Sequence, residues 1–252
     1  MSTIDQIANY TNDLLEIEKF KDYAPNGVQV TCQQNIKRIV AGVTASQNLI
    51  DAAADAQADL LLVHHGFFWK NEAPTLTGIK YRRIRSLIHH DMALMAYHLP
   101  LDAHPELGNN AQLARRLNIR PAGTFCRHEA VDIGLYGETD TAVSIGDLGR
   151  FVSRQLGRQA LIICAGDHEI KRIGLCTGGA QHYIIEAAER GLDAFISGEI
   201  SEQTTHLARE LGIHYIAAGH HATERYGVQA LGEHLAKTFS LEYLFIEDSN
   251  PA

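Results

Sequence analysis

The sequence predicts an α/β protein of two similar domains with largely parallel sheets. Three observations point there. Strand-like apolar runs alternate with helical patterns along the chain. A long strand–helix–strand segment recurs in the second half. The 252 residues, 45% hydrophobic and 21% charged, can build two modest cores and suit an ordinary globular chain.

The elements follow in order. MSTIDQIANYTNDLLEIEKF reads as an amphipathic helix with Ile4, Ile7, Leu14 and Leu15 on one face. Its early acidic residues and lack of an apolar stretch argue against a secretory leader. IKRIVAGV reads as a strand, SQNLIDAAADAQ as a helix and DLLLV as the next strand. GIKYRRIRSLIHH is a second helix of this kind, leading to the strand MALMAYH, and NAQLARRL a third that closes the first half. The basic run from Lys80 to Arg85 reads as the solvated face of its helix. In the middle, EAVDIGLYGE is a strand and SIGDLGRFVSRQL a helix.

The chain then repeats itself. Without gaps, Lys37 falls on Lys171, Arg38 on Arg172, Gln47 on Gln181 and Asp59 on Asp193, while His64 and His65 fall on Gly198 and Glu199. MALMAYHLPLD likewise resembles HYIAAGHHATE, setting His98 on His220 and Asp102 on Glu224. Identical polar positions are harder to reach by chance than matched apolar ones, so we read an internal duplication. It divides the chain at about 1–125 and 126–252, with terminal elements free to pack on the other half. Ligands of open α/β sheets bind at the carboxyl ends of strands, so the site is expected in the cleft between the halves.

Composition narrows the function. A net charge of -8 argues against broad nucleic-acid binding, which needs a basic footprint. Cys32, Cys126, Cys164 and Cys176 lie far apart with no CxxC pair, so neither a disulfide framework nor a thiolate zinc site is expected, and the compartment reads as cytoplasmic. No apolar run approaches a membrane span. GxGxxG, GxxxxGK[ST] and GxSxG are all missing. Thr177–Gly178–Gly179 reads as a tight strand-to-helix turn, or as an anion-binding one.

Histidine is the outlier. There are 14, including the pairs His64–His65, His89–His90 and His220–His221. His64 and His65 follow DLLLV, His98 follows MALMAY and His220 follows HYIAAG, each at an expected strand end. His98 has Asp102 four residues on, and His220 has Glu224; in a helical turn such a pair can reach one ion, although Pro100 makes a regular helix doubtful in the first case. Imidazole and carboxylate suit zinc, manganese, iron or nickel. Four or five nitrogens with two carboxylates exceed one tetrahedral site and suit two divalent ions bridged by a carboxylate. His89, His90, His104, His128, His168, His182, His206, His214 and His234 read as structural or exposed, with His104 set apart by lying two residues beyond Asp102.

YAPNGVQV, VHHGFFW, HLPLDAHPELGNN, SGEISEQ and AAGHHATERYG, in this order over nearly the whole chain, resemble the Nif-three-like family. Its bacterial members go by the description GTP cyclohydrolase I type 2 homologue. The resemblance implies the short form of the family, a two-domain α/β subunit with two metal ions, and a toroidal homo-hexamer built as a trimer of dimers. By matched motif it implies His64, His65, Asp102, His220 and Glu224 as ligands, with Glu224 bridging and His98 at or beside the ions. One ion is assigned to His65 with Asp102 and the other to His64 with His220.

The expected activity is that of a metal-dependent hydrolase, of the cyclohydrolase or the phosphoester or amide hydrolase class, with GTP, opened at C8, as the inherited candidate. His98, Glu199 and His221 are the candidate acids and bases. A metal carrier or insertion factor is the alternative, and a ring around nucleic acid comes third.

Overall fold

A computed structural model describes residues 2–33 and 35–252. Helix α1 (Ile4–Leu14) opens on a capping box: Gln6 N–H donates to Thr3 Oγ1 at 3.3 Å, and Thr3 N–H to Gln6 Oε1 at 3.0 Å. It buries Ile4, Ile7, Ala8 and Thr11. Then come β1 (Gly27–Val30), β2 (Arg38–Thr44), α2 (Gln47–Asp55), β3 (Leu60–His65), α3 (Gly78–His89), β4 (Ala93–Ala96) and α4 (Leu99–Ala103). The middle of the chain forms α5 (Asn109–Arg116), β5 (Arg120–His128), β6 (Val131–Val143), α6 (Ile145–Leu156), β7 (Leu161–Ile163), β8 (Ile170–Cys176) and α7 (Ile184–Glu189). It ends with β9 (Ala194–Ser197), α8 (Glu202–Leu211), β10 (His214–Ala217), α9 (His220–Thr223), α10 (Arg225–Phe239) and β11 (Glu242–Phe245).

These elements form two compact units, Met1–Leu101 with Gly227–Ser249, and Asp102–Tyr226 with Asn250–Ala252. The first holds a five-stranded sheet in the order β1-β4-β3-β2-β11, parallel except where β1 runs against β4. Val40, Leu49, Ile50, Ala53, Leu61, Val63, Leu87 and Leu94 are among its core residues. Lys80 departs from the solvated face expected of its run: it is buried, with Nζ 2.6 Å from the Ala73 carbonyl and 3.2 Å from Glu72 Oε2.

The second unit holds a six-stranded sheet in the order β5-β6-β8-β9-β10-β7. Here the sheet is mixed: β8, β9 and β10 are parallel, while β5, β6 and β7 add antiparallel pairings. The long β5–β6 hairpin needs only a tight turn, whereas each parallel neighbour needs a crossover helix. Its faces bury separate clusters, Ile173, Leu175, Ile196 and Ile216 on one side and Cys176, Phe195 and Tyr215 on the other. A sheet covered on both faces reads as continuous apolar runs, which is why β8 to β10 stand out in the sequence.

The duplication is visible in hydrogen bonds. Asp59 Oδ2 accepts from Lys37 N–H (2.7 Å) and Arg38 N–H (2.9 Å), and Asp193 Oδ2 accepts from Lys171 N–H (2.8 Å) and Arg172 N–H (2.7 Å). The second sequence correspondence needs a correction of one residue. Leu60 pairs with Ala93, and its counterpart Ala194 pairs with His214, so Ala93 rather than Met92 matches His214. His98 therefore corresponds to Gly219. His220 enters one residue later, after Gly219 turns the chain at φ +102°. Among the described residues no helix is long and apolar enough to cross a membrane.

Candidate metal centre

In the first unit, three imidazoles gather beyond the ends of β3 and β4. His64 and His65 are the last two residues of β3, and their ring centroids lie 4.6 Å apart with planes tilted by 48°. His98 follows β4, with centroids 5.2 Å from His64 and 5.7 Å from His65. One ligand atom from each of the three lies within 4.8 Å of the others.

Each ring is held at Nδ1. His64, fully buried, donates from Nδ1–H to the Tyr97 carbonyl at 2.8 Å. His98 Nδ1–H donates to Asp22 Oδ1 at 2.7 Å. His65 Nδ1 is hydrogen-bonded to Thr44 Oγ1 at 3.1 Å. A carbonyl or carboxylate partner only accepts, so His64 and His98 carry the proton on Nδ1 and offer Nε2 as a ligand atom. Asp22 is itself fixed: Oδ2 accepts from Leu99 N–H and Asn26 Nδ2, each at 2.9 Å. Burial raises its pKa, but the His98 hydrogen bond and charge, with bonds from Asn26 and Tyr23, outweigh that and hold it below the usual carboxylate range. Asp22 thus stands as an ionised partner for His98.

In the second unit, Asp102 is buried in the last turn of α4, where Oδ1 accepts from Asn109 Nδ2 (2.8 Å) and Thr177 Oγ1 (3.2 Å). Two donors on Oδ1 fix the orientation of the carboxylate. Asn110 ties this corner together. Its Nδ2 donates to the carbonyls of Asp102 and Ile133, and its Oδ1 accepts from Thr177 N–H. His220 opens α9, with Nδ1 2.7 Å from Glu199 Oε1 and Nε2 3.1 Å from Glu224 Oε2. Glu224 is only 3% exposed. Burial pulls the His220 pKa down, but hydrogen bonding to Glu224 and its charge, followed by Glu199, more than reverse this and push it up to about 9.

The Thr177–Gly178–Gly179 turn serves this arrangement. Gly178 has φ +68°, its N–H donates to Thr223 Oγ1 at 3.1 Å, and a Cβ there would lie 2.1 Å from Glu224 Oε1 and 3.3 Å from His220 Nε2. Only glycine satisfies both the backbone angle and the close approach.

The donors present fit a hard or borderline divalent cation. Buried carboxylates are costly unless paired or bound to a cation, and imidazoles fixed through Nδ1 are the usual form of histidine ligands. His64, His65 and His98 come together, and His220 comes together with Glu224 and Glu199. Glu199, a candidate acid or base in the sequence, orients His220. His221 is buried, and its N–H donates to the Ala252 carbonyl at 3.2 Å. His104 Nδ1 accepts from Glu106 and Leu107 N–H, a turn-closing role, and His234 Nε2 meets Tyr10 Oη at 2.7 Å. Asp22, Thr44, Asn109, Asn110 and Thr223 were missed. The paired asparagines in HPELGNN carried a usable signal, since adjacent amides just after a metal-type carboxylate suit buried support.

Fold and residues define a mixed α/β protein with histidines at its strand ends and buried carboxylates nearby that could hold a metal ion. Residues 2–251 match the family model Duf34/NIF3 (NGG1p interacting factor 3), and the chain belongs to that family. It is 53% identical over 238 residues, 94% of either chain, to a Pseudomonas aeruginosa protein described as a GTP cyclohydrolase 1 type 2 homolog. To the protein of the same description from Allochromatium vinosum it is 52% identical over 253 residues, covering 100% of this chain and 98% of the other. Among solved structures, a chain described as protein ybgI, of unknown function, superposes with a TM-score of 0.95 at 45% identity, covering 99% of this chain and 100% of that one. TTHA1606 from Thermus thermophilus follows with 0.88 at 29% identity, covering 98% and 99%.

Proposed function

We propose that this protein is a dinuclear metal-dependent hydrolase of a small molecule, working as a homo-hexamer. His64, His65 and His98 from the first unit, and Asp102, His220 and Glu224 from the second, would hold the two ions, with Glu224 as the bridge. The observation that supports this most is the uniform grip on the histidines at Nδ1, which gives His64 and His98 one tautomer and turns four imidazoles into oriented ligands. When bound, such ions supply Lewis acidity and a hydroxide nucleophile near neutral pH. The chain supplies the rest. Asp22 keeps the His98 Nδ1 proton in place, which leaves Nε2 as the atom that would face the ions. Glu199 holds the His220 ring. The candidate substrate, taken from the description of the relatives, is GTP, and the reaction we propose on it is hydrolytic opening of the purine imidazole ring at C8.

Elemental analysis of untagged protein tests the ligand set. Glu224→Ala is expected to lose both ions, and His128→Ala to keep them. Retention of two ions per chain by Glu224→Ala removes the bridge. Formate release from GTP by the metal-loaded protein tests the reaction, and its absence across zinc, manganese, iron and nickel removes GTP as the substrate.

A further inference from the structure

Trp69 is the single tryptophan of the chain, and the ligand set gives it no role. It sits four residues after His65 in the segment between β3 and α3. Its ring lies 5.8 Å from His65 with planes at 54°, and 5.1 Å from His98 with planes at 85°. Neither imidazole lies flat against it, so neither occupies the indole in a parallel stack. The side chain is only partly buried. Tyr23, 50% exposed, also stands beside this histidine, its ring 6.3 Å from His98 at 63°. Lys70 N–H donates to the Tyr23 carbonyl at 2.7 Å, so the two aromatic residues are tied together by backbone.

The segment that carries Trp69 is held by an unusual set of contacts. Phe68, just before it, has φ +66°, a conformation that costs a bulky side chain energy. Its N–H donates to Glu72 Oε2 at 3.0 Å. Glu72 pairs with the buried Lys80, whose Nζ also lies 5.5 Å from the centre of the Phe68 ring. A buried lysine, a carboxylate and a strained phenylalanine thus fix the backbone at the point where the indole leaves it. Burial of Trp69 in the core does not explain that expense, because the indole remains partly open to solvent beside polar rings. Large aromatic side chains left open next to a polar centre mark recognition surfaces.

We infer that Trp69, flanked by Tyr23, is the stacking face for a planar heteroaromatic ring brought to the histidine cluster. The inference rests on the hydrolase reading for its choice of ligand class. A ring with polar edges matches a flat apolar face beside imidazole ligands, whereas a cationic ligand is repelled once divalent ions are bound. Trp69 is a contact and specificity residue; no proton or bond change is assigned to it.

The test uses the metal-loaded full chain and the emission of its one tryptophan. Guanosine and GTP are the ring-bearing probes, and inorganic triphosphate is the ring-free one. Guanosine and GTP are expected to quench Trp69 saturably, and triphosphate is not. By calorimetry Trp69→Ala is expected to bind guanosine about tenfold more weakly, the typical scale of one base–aromatic stack, with Trp69→Phe recovering much of the loss. Metal content should match the wild type in both variants. Unchanged guanosine affinity in Trp69→Ala overturns the inference, and so does failure of the wild type to bind either ring-bearing probe. Formate release that continues with an unquenched Trp69 sinks the stacking face alone. Purified protein that retains no metal sinks the hydrolase reading instead.

Discussion

His220 bears most directly on how the candidate centre responds to pH. Without metal its imidazolium is flanked by Glu224 at 3.1 Å and Glu199 at 2.7 Å, and its pKa stands at about 9 against an ordinary 6.5. The folded value is raised, so the ion pairs contribute fully below about 6.5, and that contribution is lost as pH rises through about 9. The Tm of chelator-treated protein is expected to fall across this window, and His220→Gln to flatten the fall. Equal slopes in the two proteins refute the assignment. Metal occupancy runs the other way, because proton and ion compete for Nε2 and occupancy rises with pH. At this scale the sequence exposed the histidines that gather beyond β3 and β4, since strand ends and adjacent histidines are local features. It hid Asp22, because 76 positions separate it from His98 and only the fold joins them.

At the scale of elements, turns decide how close the side chains come. Gly178 and Gly212 have nearly the same backbone angle, φ +68° and +67°, in different surroundings. A Cβ at Gly178 meets Glu224 at 2.1 Å, while one at Gly212, which ends α8, meets nothing within 4 Å. Gly212→Ala is expected to cost only the left-handed penalty, about 1–2 kcal/mol, with metal content intact. Gly178→Ala adds displacement of Glu224, so metal should be lost while the circular dichroism of the sheets is kept. Normal metal content in purified Gly178→Ala contradicts the packing described. Elements with strong internal periodicity were legible, namely β2, α2, β3, α3 and α6. The strands β1, β7 and β11 were not. They are short, lie at sheet edges, and take their identity from partners far along the chain, as β11 does from β2. The ungapped alignment was also off by one residue throughout β4 and β10, because matching His98 to His220 passed over Gly219.

At the scale of the whole molecule, the duplicated strand–helix–strand pattern was readable because identical charged residues cap equivalent strands, Asp59 in one unit and Asp193 in the other. The mixed sheet of the second unit was harder to read, since an antiparallel hairpin leaves a weaker trace than crossover helices. Sedimentation of untagged protein is expected to give six times the chain mass, and a monomer or dimer at micromolar concentration removes the proposed hexamer. The order of the units along the chain carries one further consequence. The second unit up to Tyr226 is emitted from the ribosome before Gly227–Ser249, which complete the first. The sheet that starts first therefore finishes last: β2 waits with one side open until β11 arrives, roughly two hundred residues later. During synthesis the inserted unit can mature while the first is still an incomplete sheet with an unprotected edge, the stage at which a nascent chain is most exposed to wrong strand pairing.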